Sequence, residues 1–597
     1  MTERFQLKAH HEPDSYKIGH PQMFPTDTGS MYANFTPRSD RLSGIPAQFN
    51  DHKLVWIGLQ GTLKEFHLMW KESFFDRPKA EVLEEFVART LPFTGSVAIS
   101  IDHMAALHDL QFLPLRIKAL PEGSKVNSGV PVFTVRSTRG PKFSWLANNV
   151  ETSLSNESWK VTTIATIAHA YRKLLTHYAE VTGSPIEFVD WQAHCFANRG
   201  MSGAMDAAKN LAGHSLSFLG SDSVSTVDWL EYAYGAKGLF ISGSVTATEH
   251  SVTTLNIAVI EKQLIAAGET GDLKAKAEEI FIKHLITEIC PTGVVSHVSD
   301  SYDFWKTITV IAPNLKDVIL ARKPNAIGLA KVVFRPDSGD PVDVICGAEY
   351  QDYSECKTLE EAASWEKERL VDKAGADAGH GEQGDYNVTS VIRYKDKHYS
   401  IAVSIDWNRH DKQYYYIDGS SLVGEPKEVT LTPEQKGAVE CLWDTFGGTL
   451  TSKGFKVLNE RVGLIYGDSI TLARADAIMK RLIAKGFASC NVVLGVGSYT
   501  YNYMTRDSFG FALKATHAIV NGEAVEIYKD PITDKEKTKK SAKGLLRVEK
   551  EGNDFVLYDQ QTEEQEQQGE LRLVYEEGGF HNFEDFGVMR QRLAAST

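Results

Sequence analysis

The residues Arg335-Pro-Asp337-Ser-Gly-Asp340-Pro341 put one cation and two carboxylates at the end of an apolar run, Val332-Val-Phe334. A guanidinium grips phosphate or an amide oxygen with a planar fork of donors. A carboxylate beside it can hold sugar hydroxyls or, through water, a divalent cation. β-branched and aromatic residues before the turn read as a buried strand, and Pro and Gly end it. Taken alone, the stretch reads first as an ordinary polar turn between a strand and a helix.

The pattern recurs. Eight short apolar runs end in polar tips: Ile186 to Val189 into Asp190–Arg199, Leu216 to Phe218 into Gly220-Ser-Asp222, Leu239 to Ile241 into Ser242–His250, Val294-Val295 into Ser296–Asp300, the opening stretch, Val462 to Ile465 into Tyr466-Gly467-Asp468, Val492 to Leu494 into Gly495-Val-Gly497-Ser498, and Phe511 to Leu513 into Lys514. Helical stretches such as Val224 to Tyr234 and Ile470 to Lys485 lie between most of them. Strands followed by helices, with chemistry at the carboxyl ends of the strands, describe an α/β fold built on an irregular (β/α)8-like barrel.

The tips hold cations (Arg199, Arg335, Arg506, Lys514), carboxylates (Asp222, Asp300, Asp337, Asp468), Phe196, and His250 flanked by Glu249 and Ser251. Gly497-Ser498 opens a helical segment, where backbone N–H groups can meet a phosphate. The Gly pattern is not a dinucleotide fingerprint, and no phosphate-binding GxxxxGK[ST] loop occurs. There is no Ser-His-Asp arrangement and no metal-ligand cluster. Such a set suits a phosphorylated sugar whose leaving group is neutralised by Mg²⁺.

Composition bounds the alternatives. The 597 residues suggest two or three domains, and 42% hydrophobic with 24% charged residues is the balance of a globular chain. A net charge of −14 argues against nucleic acid as a partner. No apolar run spans a membrane, Met1 to Pro13 has no apolar leader core, and six scattered cysteines form no CxxC pair, so a reducing cytoplasm is expected. Residues 1–183, with Tyr32–Phe35, Leu115–Leu120 and Val132–Val135 as strands, read as an α+β domain. Barrel segments are expected over 184–344 and 431–515, and a β-hairpin insert over 345–430, with Ala374–Asp385 as a linker and Val388–Tyr394 and Tyr399–Ile405 as its strands. Residues 516–597 would rejoin the first domain. Lys535, Lys537, Lys539, Lys540 and Lys543 read, by themselves, as a solvated basic loop.

Asp14-Ser-Tyr16-Lys17, Phe196 with Arg199-Gly200, Gly220-Ser-Asp222, Thr248-Glu-His250-Ser, Ser299-Asp300-Ser-Tyr-Asp303, Arg335-Pro-Asp337-Ser-Gly339, Tyr466-Gly-Asp468, Thr505-Arg506-Asp507 and Tyr528-Lys529-Asp-Pro531 occur in this order. In these motifs the chain resembles the nicotinamide phosphoribosyltransferases of the type II phosphoribosyltransferase family, over nearly its whole length except about residues 345–430. The resemblance implies transfer of phosphoribose from phosphoribosyl pyrophosphate to nicotinamide, giving nicotinamide mononucleotide and pyrophosphate. It implies that Phe196 stacks on the pyridine ring and Tyr16 of a second subunit covers the other face. Asp222 would accept from the carboxamide, Arg335 would face its oxygen, and Ser296 would lie against the ring's tunnel. Asp337, Gly467 and Asp468 would hold the ribose. Gly497 and Ser498, with Arg506 and Lys514 of the second subunit, would hold the 5′-phosphate. Arg199 and His250, with Arg38, Lys529 and Lys537 of the second subunit, would surround the pyrophosphate. His250, Glu249, Asp300, Arg335 and Asp337 are the residues assigned to the reacting centre. Mg²⁺ would arrive on the pyrophosphate, ATP would phosphorylate His250, and the enzyme would be a homodimer with shared sites.

Departures from the family pattern are Gly463, where animal enzymes carry a phosphate-binding Arg that Arg461 could replace, and also Cys195, Ser498 and Ala512. A nicotinate phosphoribosyltransferase would share the fold, but Asp222 would meet a carboxylate there. A non-catalytic phosphosugar-binding protein need not keep both the ribose carboxylates and the pyrophosphate clamp.

Overall fold

A computed structural model describes residues 5–95, 100–410, 414–467, 469–529 and 542–596. The fold is mixed α/β, and it divides into two compact units. The first comprises residues 1–245, 467–476 and 493–597. The second comprises residues 246–466 and 477–492.

In the first unit a seven-stranded antiparallel sheet joins both ends of the chain. Its order is Glu523–Glu526, Ala512–Val520, Thr28–Thr36, Phe133–Ser137, Leu115–Ala119, Arg572–Glu576, Gly579–Phe580. In its inner strands Phe35, Phe133 and Ile117 are fully buried, and Phe35 stacks between Phe133 (4.8 Å) and Phe511 (5.3 Å). The 32-residue helix Glu151–Thr182 is fixed by buried Ile164, Tyr171 and Leu175 and ends at Gly183 in a left-handed turn. Beside it four short extended segments run parallel. Val492–Val496 pairs with Ala193–Cys195, Cys195 bridges to Ser221, and Gly220 bridges to Gly243.

In the second unit, Val462–Tyr466, Ala330–Arg335, Gly293–Val298 and Thr246–Ala247 form a parallel sheet in that order. Pairing brings Ser296, Val333 and Gly463 to one face and His297, Phe334 and Leu464 to the other. The second face is fully or nearly fully buried, and the His297 ring lies 5.9 Å from Phe281 of helix Leu273–His284. A separate five-stranded sheet contains Asn387–Tyr394, Lys397–His410 and Tyr414–Leu422. It packs Ile392, Ile401, Val403 and Trp407 with Ala362 and Leu370 of helix Leu359–Gly379.

Five sequence expectations are corrected here. Ile186–Phe188 is a 3₁₀ turn running into helix Val189–Gln192, because Pro185 opens a helical turn and the strand begins only at Ala193. Leu216-Ser217 is a turn and Leu239–Ile241 is irregular, with extended pairing at Gly220 and Gly243 instead. Phe511–Leu513 leads into Ala512–Val520, which pairs antiparallel with Thr28–Thr36 rather than joining a parallel set. Residues 374–379, expected as linker, close a helix whose Ala-rich sequence favours that state.

Glu278 in helix Leu273–His284 is 4% exposed and accepts only from Thr307 Oγ1, at 2.9 Å, among the described residues. Burial pushes its carboxyl up to about 7. The folded chain therefore holds a proton that the unfolded chain releases between about pH 4.5 and 7, so stability falls as pH rises through that window. The penalty above pH 7 is at most about 3 kcal/mol. Glu278→Gln should raise the melting temperature at pH 8 and lose that advantage at pH 5. Parallel melting curves for the two proteins across this range would exclude the effect.

Candidate active site

In the first unit the parallel segments end in one polar cluster. Phe196 follows strand Ala193–Cys195 and donates its N–H to Val496 O, which holds it at the strand tip. Its half-buried ring lies 4.6 Å from the His194 ring, tilted by 38°. His194 Nε2 donates to Asp222 Oδ1 at 2.9 Å, and Ser244 Oγ donates to the same oxygen at 2.5 Å. Asp222 N in turn donates to Cys195 O. An aromatic face thus stands beside an oriented carboxylate. Cys195 is fully buried, and burial pushes its thiol up to about 11, so it packs as a small apolar group. His194 and Ser244 were not among the expected residues. Their link to Asp222 depends on residues 28 and 22 positions away in the chain being neighbours, which no local spacing announces.

The loop Gly497-Ser498 meets the loop after Phe196. A Cβ on Gly200 would stand 2.0 Å from Ser498 Oγ, so only glycine permits this approach. Asn502 Nδ2 donates to Gly200 O at 2.5 Å, and Lys160 Nζ bridges Asn502 Oδ1 and Asp206. Arg199 is exposed and makes no ion pair among the described residues. Gly467 is half-buried. Asp468 and Lys537 lie outside the described residues.

Elsewhere in this unit Tyr16, Lys17, Glu151, Arg506 and Lys514 gather. Lys17 is 2% exposed and holds Glu151 at 2.7 Å, and Lys514 Nζ holds the other oxygen of Glu151 at 3.0 Å. Tyr16 is 63% exposed, lies next to Lys17, and its hydroxyl feels the charges of Glu151, Asp14, Lys514 and Arg506. Burial, then those carboxylates, raise its pKa. Arg38 donates to Gly510 O at 2.8 Å, and Lys529 is exposed.

In the second unit the strand tips hold the other group. His250 opens helix His250–Ala266, with Glu249 as the preceding residue and Ser251 Oγ donating to Glu249 Oε1. His250 Nδ1 lies 3.0 Å from Ser301 Oγ, while Nε2 lies 3.7 Å from Asp300 and 3.8 Å from Asp337. Asp300 Oδ2 accepts from Asp337 N at 2.8 Å, which ties the two tips together. Arg335 Nη2 donates to Thr248 O at 2.6 Å, and its Nε lies 3.9 Å from Asp337. Ser296 is 3% exposed, and its hydroxyl has no partner among the described residues. His297, on the opposite face, is kept neutral: burial and then Arg335 push it down to about 3. Asp340, grouped with the opening motif by sequence, instead caps helix Pro341–Cys346 through Val342 N and Asp343 N.

The same strand carries a residue sequence reading passed over. Lys331, Val333 and Arg335 alternate on one face, and a Cβ on Gly463 would stand 3.0 Å from Lys331 Cδ. Lys331 therefore occupies the space beside Gly463, and burial lowers its pKa. Arg461, considered as a substitute there, lies 3.5 Å from Glu460. Alternation with Arg335 was the available signal.

No group of three or more His, Cys, Asp or Glu placed to hold a metal occurs among the described residues. No helix there is long and apolar enough to cross a membrane. Residues 191–365 and 418–578 match the nicotinate phosphoribosyltransferase (NAPRTase) family. A nicotinamide phosphoribosyltransferase of Acinetobacter baylyi is 44% identical over 591 residues, covering 99% of this chain and 98% of that one. Proteins of the same name from Mycoplasma pneumoniae (28% identity, 87% and 92% covered) and Mycoplasma genitalium (26%, 90% and 96%) are more distant. With more than half its length matched and a relative similar almost from end to end, the chain belongs to the nicotinate phosphoribosyltransferase family.

Proposed function

We propose that this chain is a cytoplasmic homodimeric enzyme that moves the phosphoribosyl group of phosphoribosyl pyrophosphate onto nicotinamide, giving nicotinamide mononucleotide and pyrophosphate for NAD salvage. With this reading goes the irregular (β/α)8-like barrel expected from the sequence. The observation that carries the choice of pyridine is Asp222, a carboxylate oriented by His194 and Ser244 next to the Phe196 ring. A carboxylate accepts from an amide N–H₂ and repels a carboxylate. The near full-length likeness to a protein named nicotinamide phosphoribosyltransferase supports the same choice.

The roles in this reading are those the family resemblance implies. Phe196 fixes the plane of the pyridine, and Asp222 fixes its carboxamide. Asp337, Gly467 and Asp468 hold the ribose hydroxyls, and Gly497 and Ser498 hold the 5′-phosphate. Arg199, with Arg38, Lys529 and Lys537 of the partner, draws charge away as the C1–O bond to pyrophosphate breaks. The pyridine nitrogen then bonds C1 with its own lone pair, so no general base is required. Orientation of the two reactants supplies much of the rate. Mg²⁺ bound to the pyrophosphate would neutralise the leaving group, and the oxygens of Asp300 and Asp337 are hard donors suited to its hydration shell.

One assay tests the reading. The protein is mixed with phosphoribosyl pyrophosphate, Mg²⁺ and either nicotinamide or nicotinate, and mononucleotide is measured. Nicotinamide should be the better substrate; product only from nicotinate, or from neither, rejects it. Asp222→Ser should then lower kcat/KM for nicotinamide relative to nicotinate by roughly tenfold or more, since a charge-assisted hydrogen bond is worth about 1.5–3 kcal/mol. An unchanged ratio removes Asp222 from ring recognition.

A further inference from the structure

A cavity of about 210 Å³ lies in the first unit between the segment His10–Ile18, helix Lys79–Thr94 and helix Asp102–Leu110. Its wall is aromatic. Trp70, Phe86, His103, His10 and His11 all face it, with His10 and His11 rings 4.1 Å apart and Phe86 near both. Aromatic walls need no polar partner, yet this one holds several polar atoms without one. His10 is 4% exposed and Trp70 2% exposed. Among the described residues neither ring nitrogen of His10 has a hydrogen-bond partner, and neither does the indole nitrogen of Trp70 or Nε2 of His11. Buried polar groups are nearly always satisfied, and each unsatisfied one is costly.

From this geometry we infer a binding site for a small, uncharged, planar heterocycle that carries an acceptor and a donor. The acceptor would take the Trp70 N–H. The donor would face His10, which as a neutral imidazole offers a ring-nitrogen lone pair. Flat rings would lie against Phe86 and His103. The charged residue on the lining, Arg89, is exposed to solvent, and deeper in the cavity charge is disfavoured for two reasons. Burial, then His11, hold His10 down at about 3, so it does not serve as a cation. Glu85, the carboxylate that acts on His10, is already paired with Lys8 and with Arg77 at 2.6 Å, so it is not available to balance a cationic ligand. Pro13 and Ser15 line the same cavity, which places the site under the segment that bears Tyr16.

The probe is 7-azaindole, planar, uncharged at neutral pH and bearing adjacent N–H and N. Crystals of the full chain are soaked with it, and its affinity is measured by calorimetry for the wild type and for His10→Phe, which keeps a ring but removes both nitrogens. The expected results are a ring in the cavity with its acceptor within hydrogen-bond distance of Trp70 Nε1, and at least about tenfold weaker binding by His10→Phe. Ordered water alone in the cavity, a ring bound only beside Phe196, or equal affinity of the variant would each overturn the inference. The wild-type crystal decides the matter even where His10→Phe does not fold, and it does so independently of whether the chain makes mononucleotide.

Discussion

Cells making Tyr16→Ala and Asp337→Ala chains together should yield active protein where either chain alone yields almost none. The expectation comes from a homodimer in which Tyr16 of one subunit covers the pyridine held by the other. In the structure Tyr16 is 63% exposed and sits with Arg506 and Lys514, the same residues that family resemblance assigns to the neighbouring subunit's site. Asp337 sits at the tip of strand Ala330–Arg335 beside His250. Such a dimer is isologous and has two equivalent sites. In a mixed dimer one site carries both defects and the other carries none. Random assortment makes half the dimers mixed, so about a quarter of wild-type activity is the ceiling. Purified mixed dimers, isolated with two different tags, should show one intact site each. Inactivity of those tagged mixed dimers would place Tyr16 in its own subunit's site and reject the shared arrangement.

The parts of the fold legible in the sequence were those whose signal is local. Val332-Val-Phe334 before Arg-Pro-Asp reads as a strand because β-branched residues, then Pro and Gly, act over a few positions, and Ala330–Arg335 is that strand. The same reasoning misplaced Phe511–Leu513. An apolar run states that it is buried, not whether its neighbours run parallel, and its partner Thr28–Thr36 lies nearly 500 residues away. Ile186–Val189 failed for a related reason: four apolar or acidic residues after a Pro fit a helical turn as well as a strand, and only the tripeptide Ala193–Cys195 is extended.

Charged tips were harder to sort. Asp337 and Asp340 look alike in the sequence, three residues apart, yet Asp340 spends its carboxylate on two backbone N–H groups of the next helix. The Pro at the following position is the capping signal that distinguishes it. Lys331 went unnoticed because a lysine inside a strand is normally solvated. Here the missing side chain of Gly463 leaves it room in a half-buried place. His194 and Ser244 converge on Asp222 only through sheet order, which has no sequence period.

His250→Ala should abolish the response to ATP while leaving a basal transferase. His250 is the first residue of a 17-residue helix, where the dipole favours negative charge, and its side chain is 49% exposed. Ser301 Oγ at 3.0 Å fixes the ring through Nδ1. In the tautomer whose Nδ1–H donates to that oxygen, Nε2 keeps its lone pair, and Asp300 and Asp337, at 3.7 and 3.8 Å, are too far to claim a hydrogen bond from it. A nitrogen so placed can form the N–P bond as the γ-phosphoryl leaves ADP. The phosphorylated ring would then add negative charge at the helix N-terminus, and Mg²⁺ on the pyrophosphate would be held more firmly. ATP should therefore lower the KM for nicotinamide in the wild type, and with water hydrolysing the N–P bond after each transfer, ADP and inorganic phosphate should be released in step with mononucleotide. In His250→Ala both the KM change and ADP release should vanish. Ser301→Ala, which frees the ring without removing it, should keep part of each. An alanine variant that still releases ADP and still binds nicotinamide more tightly with ATP would make His250 a structural residue at the helix start, and the phosphoryl acceptor would have to be sought elsewhere.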